Sequence, residues 1–245
     1  MKAQTIDRLY EMNLTGMAKS FEKRHQQPDH QDLSFDDFFS LLVEDEYVYR
    51  LNNRQKRLLQ QAKFKYPSAC LEALDYHQGR HLIKTQIVNL QNTKWIDKHQ
   101  NILITGSTGV GNSYLACAFG TWACRQGYGA HYYRWPRLFG DMLAARGEGT
   151  YLQYLKKLAK CPVLIIDDFG LGSLTPDDAK DFLEIVEDRY MAGSTIISSQ
   201  LPLNQWHSYL ADPTIADAVC DRLFHVAYKF ELKGGSMRKN EIENS

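Results

Sequence analysis

Asn101-Ile-Leu-Ile-Thr-Gly-Ser-Thr-Gly-Val-Gly-Asn-Ser-Tyr-Leu115 is the stretch that decides the fold. A short apolar run, Asn101–Thr105, breaks at Gly106, and a helical pattern begins near Gly111 and runs to about Gln126. Between them, Gly106-Ser107-Thr108-Gly109-Val110-Gly111-Asn112-Ser113 fits the phosphate-loop pattern G-x-x-x-x-G-K-[ST] at every fixed position but one. The glycines allow successive backbone N–H groups to turn inward onto phosphate oxygens. The helix that follows adds the positive end of its dipole. Ser113 is placed to offer its hydroxyl to Mg²⁺, and Tyr114 follows it into the helix. Asn112 stands where the pattern reads lysine. An asparagine is shorter and neutral, so it can donate a hydrogen bond but supplies no charge to the β- and γ-phosphates. Losing a charge-assisted contact costs binding about 1.5–3 kcal/mol, and costs hydrolysis more, because charge develops in the transition state.

The pattern downstream alternates strands and helices. Ala130–Arg134, Val163–Ile166, Ser194–Ser199 and Phe224–Leu232 read as further strands. Pro136 opens one helix; Thr175 caps another, with Pro176 in its first turn, running to about Met191. Short helices are expected around Leu203–Leu210 and Pro213–Asp221. Ile/Leu/Val runs without strict alternation indicate strands covered on both faces, and intervening helices indicate right-handed crossovers in a parallel sheet. The third strand ends in Asp167-Asp168. Two carboxylates beside a phosphate loop suit Mg²⁺ at Asp167 and an attacking water at Asp168.

Ahead of this α/β region the charges segregate. The window His25–Tyr49 has seven acids and no Lys or Arg, whereas Tyr47–Leu71 carries Arg50, Arg54, Lys56, Arg57, Lys63 and Lys65 with no acid. Ser34 and Asp37 have capping-box spacing, and the helix they open is expected to continue through Arg50 to Lys65, stopping before Pro67. From charge alone this is a solvated helix face; the functional alternative is a stripe on DNA phosphate. His77 and His81 share an i, i+4 spacing without the glutamate of HExxH, so a metal site is not expected there.

Composition bounds the rest. The 245 residues hold 29 Lys+Arg and 29 Asp+Glu, so net charge is zero, which argues against bulk nucleic-acid affinity but not against a local basic patch. No apolar run approaches the ~18 residues of a membrane span, and the N-terminus lacks a signal-peptide pattern. Five scattered cysteines with no CxxC pair point to reduced thiols in a cytosolic protein.

Nearly the whole chain resembles the IstB-like ATPases, helper proteins of one family of bacterial transposons. These belong to the AAA+ class and are close to the DnaC helicase loaders. The resemblance runs through Leu14-Thr-Gly-Met-Ala18, Leu33-Ser-Phe35, Arg54–Lys63, Tyr66-Pro-Ser-Ala-Cys-Leu71 and Asn101–Ala118. It continues through Ala123–Tyr128, Leu164–Gly170, Ser194–Pro202, Asp217–His225 and Glu231–Lys239. It implies a three-layer αβα P-loop NTPase fold with a parallel five-stranded sheet, preceded by a small all-α domain. The implied division is a helical domain over 1–66, a connector over 67–98 and the ATPase domain over 99–245.

It implies ATP and Mg²⁺ as cofactors, with Gly106, Ser107, Thr108, Gly109, Val110, Gly111, Asn112, Ser113 and Tyr114 at the nucleotide. Gln200 falls at the sensor-1 position, Arg238 at sensor 2, and Arg222 where the class places an arginine finger for a neighbouring subunit. An arginine acting across subunits implies a homo-oligomer, as a ring or an open helix. The implied partners are double-stranded DNA and a cognate transposase, in the bacterial cytoplasm. Two readings stand beside this one: a DnaC-like helicase loader, for which Tyr132, Tyr133 and Trp135 could stack on single strands, and a nucleotide-binding module that does not hydrolyse.

Overall fold

The computed structural model describes residues 2–24, 26, 33–76 and 78–237. The chain divides into two compact units, Met1–Arg57 and Leu58–Ser245. The first holds α1 (Lys2–Glu11), α2 (Thr15–Arg24) and most of α3 (Phe35–Ala62). Ser34 opens α3 as the capping spacing predicts: its hydroxyl accepts the Asp37 N–H at 3.2 Å and donates to the Asp37 carboxylate at 2.6 Å. Asp36 and Asp37 lie in the first turn, where the helix dipole favours negative charge.

Part of the acidic run does a specific job. Glu46 is buried, and its carboxylate accepts the Met17 N–H at 2.9 Å, satisfying a donor in the first turn of α2. Arg50 completes the pair at 2.6 Å and also donates to the Asn13 carbonyl at 3.1 Å. Beside Glu46, Asp45 accepts from Ser20, one turn beyond Met17 on α2, and from Arg24. The Ser20 and Arg24 bonds hold the Asp45 carboxyl below its ordinary value of 3.8. Burial pushes Glu46 up, but the Arg50 and Met17 bonds more than offset it and leave it below 4.5. A carboxylate with a depressed folded pKa contributes stability that is present above its unfolded value and lost as pH falls through the folded one. Far-ultraviolet circular dichroism should therefore record helix loss as pH falls below about 4, with a flatter acid limb in Asp45→Asn. Identical limbs would remove Asp45 from the account.

The second unit carries α4 (Lys84–Leu90), α5 (Lys94–Asp97), β1 (Asn101–Gly106), α6 (Asn112–Arg125), β2 (Ala130–Arg134) and α7 (Trp135–Gly147). It continues with α8 (Tyr151–Lys160), β3 (Val163–Phe169), α9 (Pro176–Arg189), β4 (Ser194–Ser199), α10 (Trp206–Tyr209), α11 (Pro213–Phe224) and β5 (Ala227–Leu232). The five strands form one parallel sheet in the order β2-β3-β4-β1-β5. One face packs on α6 and on residues 62–96, through Phe64, Leu71, Ile87, Trp95 and Phe119. The other packs on α7–α11, where Trp135 is buried against Phe139, Phe169 and Phe182. This is the expected three-layer arrangement, with both faces covered.

Several details differ from the sequence expectation; the last strand, for one, starts at Ala227, because Phe224 still belongs to α11. The segment between Pro136 and the third strand is two helices, because Gly147-Glu148-Gly149 breaks the pattern and Gly149 adopts φ 69°. β3 runs on to Phe169 through a register irregularity at Asp167-Asp168. α9 ends at Arg189, whose buried guanidinium donates to the carbonyls of Leu158, Cys161 and Ser194. Finally, α3 ends at Ala62, short of Lys65. Lys63 takes φ 55°, and Phe64 turns inward onto α6.

No described helix is long and apolar enough to cross a membrane. Burial pushes the Cys117 and Cys124 thiols up to about 12, so neither is a nucleophile at neutral pH.

Candidate nucleotide site

The loop between β1 and α6 is a cradle of backbone. Gly109 and Gly111 take φ 88° and 105°, values open to glycine and costly for other residues. It borders a cavity of about 560 Å³ lined by Ser107, Thr108, Gly109, Gly111, Ser113 and Tyr114 on the loop side. Tyr66, Leu74, Asp75 and Arg80 line it too, as do Asn112, Asp168, Ser199 and Gln200. That volume lies within the roughly 300–1,000 Å³ of small-molecule sites. Arg80 braces the loop, donating to the Val110 carbonyl at 2.6 Å. The Met237 N–H donates to the Gly109 carbonyl at 2.9 Å, so the C-terminal segment reaches the loop. Arg238 lies outside the described residues.

Sheet order sets the rest of the geometry. β4 lies between β1 and β3, so Gln200, just past its end, sits between the loop and the two acids. Its Oε1 accepts from the Thr108 hydroxyl at 2.6 Å. Asp167 is fully buried and accepts from the Tyr132 and Ser198 hydroxyls. Burial and then the Asp167 charge push the Tyr132 phenol well up, so it remains a donor. Asp168 adopts φ 62° at the irregularity in β3, which turns its carboxylate out of the alternation and toward the cavity. Arg134, at the end of the neighbouring β2, pairs with it at 3.0 Å.

Asn112 lines the cavity, but its amide is turned away from it. Its amide donates backward to the carbonyls of Gly106, at 2.6 Å, and Ser199, at 3.2 Å, tying the end of β1 to the end of β4. Its Oδ1 is buried with no partner. The loop thus has phosphate-binding backbone but no cation from its own sequence.

Lys65 supplies the main surprise of placement. The charge pattern assigns it to a basic helical stripe; because α3 stops at Ala62, it leaves that stripe. Its ammonium lies 3.5 Å from Asp167, 3.9 Å from Asp168 and 3.5 Å from the Ser113 hydroxyl. No pattern in the sequence links it to a loop so far along the chain; only the turn at Lys63 does. The remaining stripe is on α3 and exposed: Arg50, Arg54 and Arg57 recur at helical spacing on one face, with Lys56 beside it. Arg50 is tied to Glu46. Lys63 is exposed just past the helix end. Trp135 is core and the Tyr132 hydroxyl is bound to Asp167, so neither is a stacking platform.

Arg222 lies on α11, near the start of β1. Asn101, the first residue of β1, donates to the carbonyls of Arg222 and Leu223 at 3.4 and 3.3 Å. The loop leaves the far end of that six-residue strand, about 20 Å away. Within its own chain Arg222 pairs with Glu187 at 2.8 Å and donates to the Ala218 carbonyl at 2.9 Å.

A phosphate loop on a parallel sheet, with an extra strand between the loop strand and the acidic strand, defines a protein of the P-loop NTPase fold. The model of the IstB-like ATP binding protein family matches residues 7–245, and the chain belongs to that family. It is 42% identical to an insertion-sequence ATP-binding protein of Sinorhizobium fredii over 241 residues, 98% of both chains. It is 45% identical over 202 residues to the ATP-binding protein of insertion sequence IS1162 from Pseudomonas fluorescens, covering 82% of this chain and 87% of that one. Among solved structures the fold is similar to DnaI, with a TM-score of 0.58 at 20% identity, over 73% of this chain and 94% of that one. The DnaC helicase loader is similar with a TM-score of 0.55 at 18% identity, over 69% and 99%. DnaA from Aquifex aeolicus, bound to AMPPCP, gives 0.58 at 19% identity, over 73% and 56%.

Proposed function

We propose that this chain is an ATP-dependent, DNA-binding helper of transposition, which assembles on double-stranded target DNA and stimulates a partner transposase. The observation that carries this reading is the cavity where the loop, Gln200 and Asp168 converge, in a chain whose curated relatives are ATP-binding proteins of insertion sequences. The loop amides bind the phosphates, and Tyr66, Leu74 and Asp75 form the wall available to the base. Asp168 is aimed at the cavity as the residue that orients water. Gln200, tied to Thr108, reports the state of the γ-phosphate to β4.

Ser113, Asp167 and Asp168 are hard oxygen donors around one point, the type of set Mg²⁺ takes together with nucleotide phosphates and waters. Asp167 already accepts two hydroxyls, so it fits a role through water and Ser113 a direct one. When bound, the metal supplies charge neutralisation at the β- and γ-phosphates. Electron microscopy with ATP and duplex DNA tests the assembly: rings or helical filaments that require both ligands support it. A chain that stays monomeric in their presence removes the reading.

DNA is engaged, on this reading, by the face of α3 carrying Arg50, Arg54 and Arg57, with Lys56 and Lys63 flanking. Replacing Arg54, Lys56 and Arg57 together by alanine should weaken duplex binding alike for all sequences. The slope of log affinity against log salt should become shallower by about 0.9 for each DNA phosphate that is no longer neutralised. Arg50 is left out of this set because Arg50→Ala would also strip the buried Glu46 of its partner. An unchanged slope returns this face to solvent.

A further inference from the structure

The loop's missing charge has a candidate source elsewhere in the chain. Position 112 offers none: the Asn112 amide is held by two backbone carbonyls. Nor do the arginines around the loop supply it. Arg80 lines the cavity as well, but its guanidinium is already bound to the Val110 and Asp75 carbonyls at 2.6 and 3.3 Å. Arg134 is paired closely with Asp168.

Lys65 differs from both. Its ammonium sits among three oxygens at 3.5, 3.5 and 3.9 Å, all longer than the roughly 2.7–3.2 Å of a formed hydrogen bond. Those oxygens attract the charge without saturating its donors. One of them belongs to Ser113, in the first turn of α6, the helix end onto which the loop delivers a phosphate.

The segment around Lys65 is anchored to that same helix on both sides. Phe64 is buried, and its ring lies where a Cβ on Gly120 would be 2.6 Å away, so only glycine fits there. The Tyr66 ring packs on Tyr114 with centroids 6.1 Å apart. The Cys117 thiol meets the backbone of Lys65 and Tyr66. The ammonium is therefore held in register with the loop by α6 itself, although it comes from a distant part of the sequence.

We infer that Lys65 supplies to the bound nucleotide's β- and γ-phosphates the ammonium that position 112 lacks. This rests on the site being a nucleotide site. The rotatable bonds of the lysine stem let the ammonium move from the carboxylates to an incoming phosphate without displacing the anchored backbone. The acids hold it in place beforehand, and the phosphate offers a denser negative charge. Binding is thereby supported from the side of the loop, while the position a loop lysine takes in the transition state stays empty. The chain keeps its nucleotide affinity and loses turnover.

The test is equilibrium binding of a fluorescent ATP analogue to the full chain, with Mg²⁺ and again with EDTA. Lys65→Gln should weaken binding about ten- to a hundredfold in both conditions, the range for removal of one charge-assisted hydrogen bond. Lys65→Arg, which keeps the charge, should stay within a few-fold of the parent. Adding Asn112→Lys to Lys65→Gln should restore most of the affinity, because the loop then has a cation of its own. Thermal melts of each variant separate misfolding from weakened binding.

Parental affinity in Lys65→Gln overturns the inference. So does a weakening confined to Mg²⁺, which would mean that Lys65 acts on the metal site instead. An equal weakening in Lys65→Arg, or no restoration by Asn112→Lys, overturns it as well, leaving Lys65 as a structural partner of the acids. A parent that binds no ATP in either condition overturns the nucleotide reading and this inference with it. Parental binding with an unaffected Lys65→Gln overturns this inference alone.

Discussion

Steady-state hydrolysis at saturating ATP rises about tenfold or more when Asn112 is replaced by lysine. The loop around position 112 is otherwise complete: Gly109 and Gly111 hold the phosphate-binding backbone, and Ser113, Asp168 and Gln200 face the cavity. What position 112 lacks is charge directed at the γ-phosphate as it is transferred. A lysine there would be released from the backward geometry of Asn112, whose amide is bound by Gly106 and Ser199. The replacement forfeits those two hydrogen bonds, at about 1 kcal/mol each, but it also removes the partnerless buried Oδ1. The ends of β1 and β4 stay paired through the register Thr105↔Ser199, so the fold should persist with a small change in melting temperature. Substrate affinity should rise less than turnover, because ground-state binding draws on the loop amides and on Lys65. Equal rates in parent and variant would refute the idea that the missing cation limits turnover.

The sheet and the loop were legible in the sequence because their signals are local. Asn101–Gly106 and Ser194–Ser199 are short apolar runs, and the glycines between β1 and α6 fall at fixed offsets. Thr175 and Pro176 announce α9, and the structure adds the full capping box through Asp178. What stayed hidden depends on packing between segments distant in sequence. Lys65 reads as the end of a basic helix until Phe64 is seen docking at Gly120 and Lys63 turning left-handed. Asp45 and Glu46 read as solvated acids until α2 brings Ser20, Arg24 and the Met17 N–H to them. Arg134 becomes a partner of Asp168 only because β2 pairs with β3 in the register Arg134↔Asp167. Asn112 could be recognised as a departure from the loop pattern, but the direction of its amide could not, since that depends on where β4 ends. In each case a residue type and spacing narrowed the possibilities, and a tertiary neighbour chose among them.

Arg222→Ala, made in the Asn112→Lys background, should lower ATP hydrolysis by ~10³-fold while leaving nucleotide binding and folding intact. Arg222 sits beside Asn101, at the opposite end of β1 from its own loop, so it cannot reach the phosphate bound by its own chain. An effect on hydrolysis therefore requires a neighbouring subunit's site, in a head-to-tail assembly. Its pairing with Glu187 does not prevent this. The two side chains are 29% and 48% exposed, and a pair of that kind is worth about 0–1 kcal/mol, less than a bond to a transferring phosphoryl group. Complementation separates action in trans from a structural role. The Arg222→Ala protein keeps its own Asp168, and an Asp168→Asn protein keeps its own Arg222. In a mixed assembly, an interface that joins the intact site of one to the arginine of the other regains activity. Neither protein alone can form such an interface. Turnover should thus peak near equal mixing and vanish at either extreme. If mixed assemblies form and no ratio restores turnover, Arg222 acts within its own chain, and its bond to Glu187 is then its function.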